Sequence, residues 1–396
     1  MLEAFTTTAT ATYEQQQRTH LALQLPEIVT NIITHIANSS SHTAATAAVK
    51  NDKSNLYQCL FVNRLWQDCA SRAIYRTLQF GEHKANYEAF TKFASMFSDE
   101  PVLSQQRNLA PYSTPASLAN ISNNTDYPYT SAFLSRLNDP ILDERPQRLN
   151  TYRRTLRSLT LRKFKDPTPI TQALQQVGKH AVRIERLELY ICDSVTDKSV
   201  FTFLHHGTLT HLTLAGCYQI TDALVTQVAE SCPNLSLLDV RACGYVSDKS
   251  ITQIALRCPK LYHLNVGRVR DRERITNASI NLVAQHTNIG VLGLAGCDIT
   301  DECMLLLATH RNRALERISV NNCRRLTNKS VHAFVKHCRN LVVFEMKECH
   351  LVNDWEPVAE MVKRKVLLTL CEQQNRDCVE WAKAHGRTLH VRAPLK

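Results

Sequence analysis

The sequence predicts an α/β solenoid: a curved stack with short parallel strands on its concave side and helices on its convex side, preceded by a small helical segment. Three observations carry this. A unit of about 26 residues recurs down the last two-thirds of the 396-residue chain, with copies beginning at Leu156, Ile184, Leu209, Leu235, Leu261, Ile289, Leu315 and Leu341. Each copy changes from the two-residue alternation of a strand to the spacing of a helix. Two copies then stop on a Cys-Pro pair. So short a unit cannot bury its own apolar face, so regular steps of 25 to 28 residues mean one supersecondary unit stacked on copies of itself.

The copy from Leu235 to Lys260 shows each element. Leu235, Leu238 and Val240 hold positions one, four and six, and alternation at four and six turns one strand face into the core. Val246-Ser247-Asp248 follows the turn, as Ile220-Thr221-Asp222 does one copy earlier. Ser or Thr suits a helix cap, and Asp suits the positive end of the helix dipole. Ile251, Ile254 and Ala255 then lie on one helical face, and Cys258-Pro259 ends the helix because proline has no N–H to continue it. The last copies lose the pattern. Residues 355–365 read as a helix, 366–370 as a degenerate strand, 372–385 as a helix stopped by Gly386, and Thr388 to Arg392 as cover for the sheet edge. The unit resembles the cysteine-containing leucine-rich repeat, which implies a horseshoe over residues 151–396.

Six of the fourteen cysteines (Cys192, Cys217, Cys243, Cys297, Cys323, Cys349) hold position nine, and Cys232, Cys258 and Cys338 precede the return. Position nine lies behind the sheet, where a small thiol fits a stacked interior. Zinc needs closely spaced ligands, and these thiols recur once per copy, so no metal and no cofactor are expected. His337-Cys338 with Cys349-His350 is the nearest approach to a ligand set. With no secretory leader read, abundant unpaired thiols suit a reducing cytoplasm and nucleus. The longest apolar runs are too short to cross a bilayer, so no membrane partner is expected. A net charge of +11 raises nucleic-acid binding. The basic residues are scattered without an aromatic platform, however, which favours a solvated basic surface or acidic partner segments.

Residues 1–20 are rich in Thr, Ala and Gln and read as disordered. Beyond them Pro26 suits a first helical turn, with Ile28, Ile32, Ile33 and Ile36 on one stripe. A polar spacer leads to a second run in which Leu56, Leu60, Trp66, Ala70 and Ile74 share a face, flanked by Cys59, Val62 and Ala73. So small a core needs a partner or the solenoid to stabilise it. Leu25-Pro26-Glu27-Ile28, the isoleucine series, Val62-Asn63-Arg64-Leu65-Trp66 and the closing Ile74-Tyr75-Arg76-Thr77-Leu78 resemble an F-box over residues 21–80. The spacer is longer than that family's tight link, and Asn63 stands where cysteine is common. Residues 81–98 read as a helix, a possible degenerate first repeat, and 99–150 as a Pro-, Asn- and Ser-rich linker.

An F-box before cysteine-containing repeats is the pattern of substrate receptors in Skp–cullin–F-box ubiquitin ligases. The wording LPEIVTNII, a spacer, then LYQCLFVNRLW is most similar to the fungal antagonist of mitotic exit network family. The resemblance implies a cell-cycle regulator restraining mitotic exit, monomeric within a hetero-complex with a Skp-type adaptor and cullin. It also implies adaptor contact through Leu25, Pro26, Ile28, Ile32, Ile36, Leu60, Val62 and Trp66. The alternative is a stoichiometric inhibitor of a signalling GTPase, without ubiquitination.

No phosphate-binding glycine loop, nucleophile turn or paired carboxylate is found, so no catalysis is expected. Positions three, five, seven and eight of each copy should face the concave side. These are Arg186, Glu188 and Tyr190; His211 and Thr213; Asp239 and Arg241; His263, Asn265 and Arg268; Arg317, Asn321 and Asn322; Glu345 and Lys347. Gly267, Gly293 and Ala295 leave the middle of the curve low, a shape suited to a peptide or protein loop. The insertion Gly267–Arg274 carries four arginines and is a further candidate for an acidic partner.

Overall fold

The computed structural model describes residues 21–39, 54–97, 151–164 and 170–394. The expected N-terminal tail, most of the spacer and the 99–150 linker lie outside the described residues. Three helices open the described chain: α1 (Pro26–Ser39), α2 (Ser54–Cys59) and α3 (Arg64–Arg76). Asn63 caps α3 by accepting the Trp66 N–H at 3.0 Å, so the departure from cysteine there supplies a helix start. Val29, Ile33, Leu56, Cys59, Cys69, Ala70 and Ile74 form a small core of their own. Its stripe on α1 runs through Val29 and Ile33, which leaves Ile28 and Ile32 half-buried.

The boundary expected at residue 80 moves. Thr77–Phe80 is β1, and it pairs in parallel with β2 (Ser158–Arg162), Leu78 opposite Leu159 and Phe80 opposite Leu161. α4 (Lys84–Ser95) follows, and Phe90, Phe93 and Phe97 fill the first layer of the array core. A complete repeat therefore starts inside the stretch read as one helical module, because four strand residues after a helix are too few to show alternation.

Each later repeat adds one strand and one helix. The strands are β3 (Arg186–Tyr190), β4 (His211–Thr213), β5 (Leu237–Asp239), β6 (His263–Asn265), β7 (Val291–Gly293), β8 (Arg317–Ser319), β9 (Val343–Glu345) and β10 (Leu367–Thr369). The helices are α5 (Ile170–His180), α6 (Asp197–Phe201), α7 (Asp222–Ser231), α8 (Asp248–Arg257), α9 (Asn277–His286), α10 (Asp301–His310), α11 (Asn328–His337), α12 (Glu356–Lys363) and α13 (Glu372–Ala384). All ten strands form one parallel sheet in chain order. Strands stack about 4.8 Å apart while packed helices need roughly 8–10 Å, so the stack bends with the sheet inside. This is the expected leucine-rich-repeat-like horseshoe.

Positions one, four and six are buried in all eight predicted copies. The eighth residue then takes a left-handed conformation in seven of them: Lys163, Ile191, Gly216, Ala242, Gly296, Asn322 and Glu348, with φ from 53° to 76°. That turn drops the ninth residue behind the sheet. The cysteine there donates its thiol to the sixth carbonyl of the preceding copy, as Cys243 does to Leu214 (3.1 Å), Cys323 to Leu294 (3.2 Å) and Cys349 to Val320 (3.1 Å). Burial pushes the Cys243 and Cys297 thiols up to about 12, so they stay protonated donors.

A second ladder runs along the helix starts. Asp222 accepts the N–H and hydroxyl of Ser247 at 2.8 and 2.6 Å, Asp248 those of Thr276 at 3.0 and 2.6 Å, and Asp301 those of Thr327 at 2.9 and 2.6 Å. Each aspartate thus ties its own helix start to the next copy's cap. At the far end the Leu368 N–H donates to the Arg392 carbonyl at 2.8 Å, covering the outer edge of β10 as expected. Among the described residues no helix is long and apolar enough to cross a membrane. No group of three or more His, Cys, Asp or Glu among them is placed to hold a metal ion.

Candidate functional site

The concave residues expected from the repeat positions sort into three groups. At the N-terminal end, Arg186 Nη2 lies 3.2 Å from His211 Nε2, Glu188 accepts the Thr160 hydroxyl at 3.3 Å, and the Arg162 guanidinium sits 4.9 Å over the Tyr190 ring. Arg162 and Thr160 belong to β2, the strand before the first concave residue named from sequence. Thr213 is buried between its neighbours on the same face. Crowding and the Arg186 charge hold His211 below the usual histidine range.

The middle group makes the site. Asp239, Arg241, His263, Asn265, Arg317, Asn321 and Glu345 line one shallow hollow of about 550 Å³, floored by Gly267, Gly293 and Ala295. Strands β5 to β9 bring together positions that are 26 to 106 residues apart in sequence, from Asp239 to Glu345, because the sheet register sets equivalent positions side by side. Glycine at 293 is required by closeness: a Cβ there would lie 2.6 Å from the Asn265 amide. Asp239 pairs with Arg241 at 2.9 Å and Glu345 with Arg317 at 2.6 Å. Asn265 accepts the Gly267 N–H at 3.1 Å, and Asn321 accepts the Lys347 N–H at 2.7 Å. Burial, then Arg241 and Arg317, hold His263 below the usual histidine range, so it is neutral at neutral pH. Burial raises the Asp239 carboxyl, and Arg241 works against that rise. The hollow offers forked donors, amides and carboxylates around a low floor, a set that hydrogen-bonds an extended segment.

Lys347 falls outside this hollow and borders a smaller one beside β10. Asn322 is the left-handed turn residue of its copy, and its carbonyl accepts Arg272 Nη1 at 2.7 Å. Arg268 is the correction. It was expected on the concave face and does border the hollow, yet it is only 7% exposed. Its guanidinium donates to the Val246 and Asp271 carbonyls at 3.0 and 3.1 Å, turned into the stack. The fifth copy has no cysteine at position nine, and Arg268 fills that interior. Arg272 is likewise tied to the turn two copies on, so half of the insertion's four arginines serve the fold.

On the helical segment, Leu25 (47% exposed), Pro26 and Val62 (58%) face solvent, and Ile28 and Ile32 are half-buried. Ile36, Leu60 and Trp66 instead pack against the small core and are only partly available. Phe61, 86% exposed in the turn between α2 and α3, and Tyr57 at 52% were missed. An aromatic residue inside a turn, off any helical stripe, is the sign that could have found Phe61, whereas Tyr57 lies within α2.

No family model matches the chain. Curated relatives named Antagonist of mitotic exit network protein 1 do match. The Yarrowia lipolytica protein is 30% identical over 91% of this chain and 57% of its own length. The Eremothecium gossypii protein is 28% identical over 85% and 70%, and the Candida glabrata protein 32% identical over 55% and 42%. The chain thus spans only 57% of the first of these relatives, and the expected likeness to this family is borne out. Among solved structures, the crystal structure of the Rad7 and Elc1 complex in yeast matches with a TM-score of 0.45 at 14% identity, over 95% of this chain and 99% of that one.

Proposed function

We propose that the protein is a non-catalytic adaptor that restrains mitotic exit. It holds a protein partner on its concave face while the N-terminal helices engage a Skp-type adaptor and, through it, a cullin. The relatives' shared name supports the pathway. The observation that carries the binding role is the hollow on β5 to β9, whose two ion pairs and two amides surround a floor without side-chain bulk. Its work is raised effective concentration of one protein near another, which needs no reacting group of its own. Cytoplasm and nucleus are the compartments in which this reading places it.

The exposed Leu25, Phe61 and Val62 are the adaptor contacts in this reading. Pull-down of a purified Skp-type adaptor should succeed with the wild-type chain and fail with Leu25→Ala/Phe61→Ala. Equal recovery from both, or from neither, would remove the ligase role. The second reading, a stoichiometric inhibitor of a mitotic-exit GTPase, is favoured by the word antagonist in the relatives' name, which states opposition without degradation. It stands if Leu25→Ala/Phe61→Ala leaves the delay of mitotic exit intact while Arg241→Ala/Arg317→Ala abolishes it. Deleting residues 21–80 is the wrong test, since it removes β1 from the sheet.

A further inference from the structure

A second hollow, of about 750 Å³, lies where α1 and α3 meet the segments entering β2 and β3. Five arginines line it: Arg72 and Arg76, one turn apart on α3; Arg154 and Arg157, ahead of β2; and Arg183, ahead of β3. Among the described residues one acid answers them, Glu185, whose carboxylate takes Arg157 Nη1 at 2.8 Å. Among the described residues the side chains of Arg72, Arg76, Arg154 and Arg183 make no ion pair and no hydrogen bond. Like charges four apart on a helix weaken it slightly, and converging guanidinia repel. A merely solvated basic face would spread these groups and mix in lysine. Here every cation among the described residues that line the hollow is arginine, and the five come from three separate parts of the chain.

We infer that this hollow is a phosphate site that takes a phosphorylated serine or threonine side chain of a protein partner. A phosphomonoester carries about −1.5 to −2 charge at neutral pH and three acceptor oxygens. The guanidinium fork matches that geometry two bonds at a time, which an ammonium cannot do. Ile33 and Ala73 give the hollow an apolar wall for the methyl or neighbouring residues of such a side chain. Its size holds a few residues. A nucleic-acid backbone would need a row of cations along the surface rather than a closed cluster. The site is separate from the concave hollow and does not depend on the function proposed for it.

The test uses the full chain and a degenerate nonapeptide library with a fixed central phosphothreonine, beside the same library with threonine. Fluorescence anisotropy should show the phosphorylated library bound at least tenfold more tightly. Arg72→Ala/Arg154→Ala should lose that preference at an unchanged melting temperature, because both side chains are exposed. Arg154→Lys should keep only part of it, and Arg241→Ala/Arg317→Ala on the concave face should keep all of it. Inorganic pyrophosphate should compete. Equal affinity for both libraries overturns the proposal, as does a phosphate preference that survives Arg72→Ala/Arg154→Ala. Binding of pyrophosphate with no affinity for the phosphorylated library overturns the peptide as occupant.

Discussion

The fourth and fifth predicted copies sit side by side on the same sheet and are built differently at one turn. In the fourth, Ala242 takes φ of 60° and Cys243 drops behind the sheet to meet the Leu214 carbonyl. In the fifth, the left-handed residue is Asp271, at 49°, and the buried arginine Arg268 occupies the interior in place of a thiol. Yet β5 and β6 pair in unbroken register, and Asp248 still holds Thr276 across the enlarged turn. Strand and helix are therefore the frame, and the turn between them is where a copy can change chemistry without breaking the stack.

The largest test addresses what the two copies share. Leu238 and Leu264 hold position four and are fully buried. Leu238→Ala and Leu264→Ala should each cost about 2–5 kcal/mol, the lost burial plus the cavity left behind. Denaturant unfolding measures both, and values differing by more than twofold would show that the frame is not common to them.

Next comes what they do not share. Arg268→Ala leaves a cavity and strips the Val246 carbonyl of a charged donor, so it should cost about 2–3 kcal/mol. Arg241→Ala, in the neighbouring copy, removes a half-exposed arginine from a carboxylate, Asp239, that is itself only 7% exposed. It should cost only about 1 kcal/mol, because the backbone N–H of residue 241 stays on the Asp239 carboxylate at 3.2 Å, and act on binding as well. If Arg268→Ala cost no more than Arg241→Ala, the interior role assigned to that guanidinium would be lost.

The contrast between these arginines marks what the sequence disclosed. Periodicity of apolar residues located eight strands, the cysteine interior and the terminal cap, because burial repeats with the fold. It also placed Asp239, Arg241, His263, Asn265, Arg317, Asn321 and Glu345 on one face, since alternation fixes side. It failed at Arg268, because a charged residue at an outward position gives no sign that a missing thiol has left room inside. It failed at β1, where Thr77–Phe80 is too short to separate from the preceding helix. It read the aspartates as partners of their own helix dipole, whereas the bond each makes to the next copy depends on stacking that no single repeat reveals.

That aspartate ladder gives the third test. Burial would raise the Asp222 carboxyl, but the hydroxyls and N–H groups of Ser247 and Ser250 outweigh it and hold the group below the usual carboxylate range. A depressed folded value means that this stabilisation is complete above about pH 3.9, the unfolded value, and is lost as pH falls through the folded one. Asp222→Ala should cost about 1–2 kcal/mol at neutral pH, allowing for its partial exposure. The gap from wild type should narrow as pH falls below 3.9. A gap constant with pH would mean that packing, not the charge, ties these copies together.

The smallest effect returns to the turn where the two copies part. A left-handed residue with a Cβ costs roughly 1–2 kcal/mol relative to its right-handed form, while glycine takes either hand freely. Gly216 and Gly296 already occupy the same position in other copies. Ala242→Gly should therefore stabilise the fourth copy, by about 0.5–1 kcal/mol once the greater entropy of an unfolded glycine is deducted. In the fifth copy, where the eighth residue is not left-handed, the same logic gives no gain at Arg268. A rise in melting temperature for Ala242→Gly, read beside the loss for Arg268→Ala, separates backbone hand from side-chain filling as the two ways this turn is made. A fall for Ala242→Gly would show that the alanine methyl contributes packing that outweighs its strain.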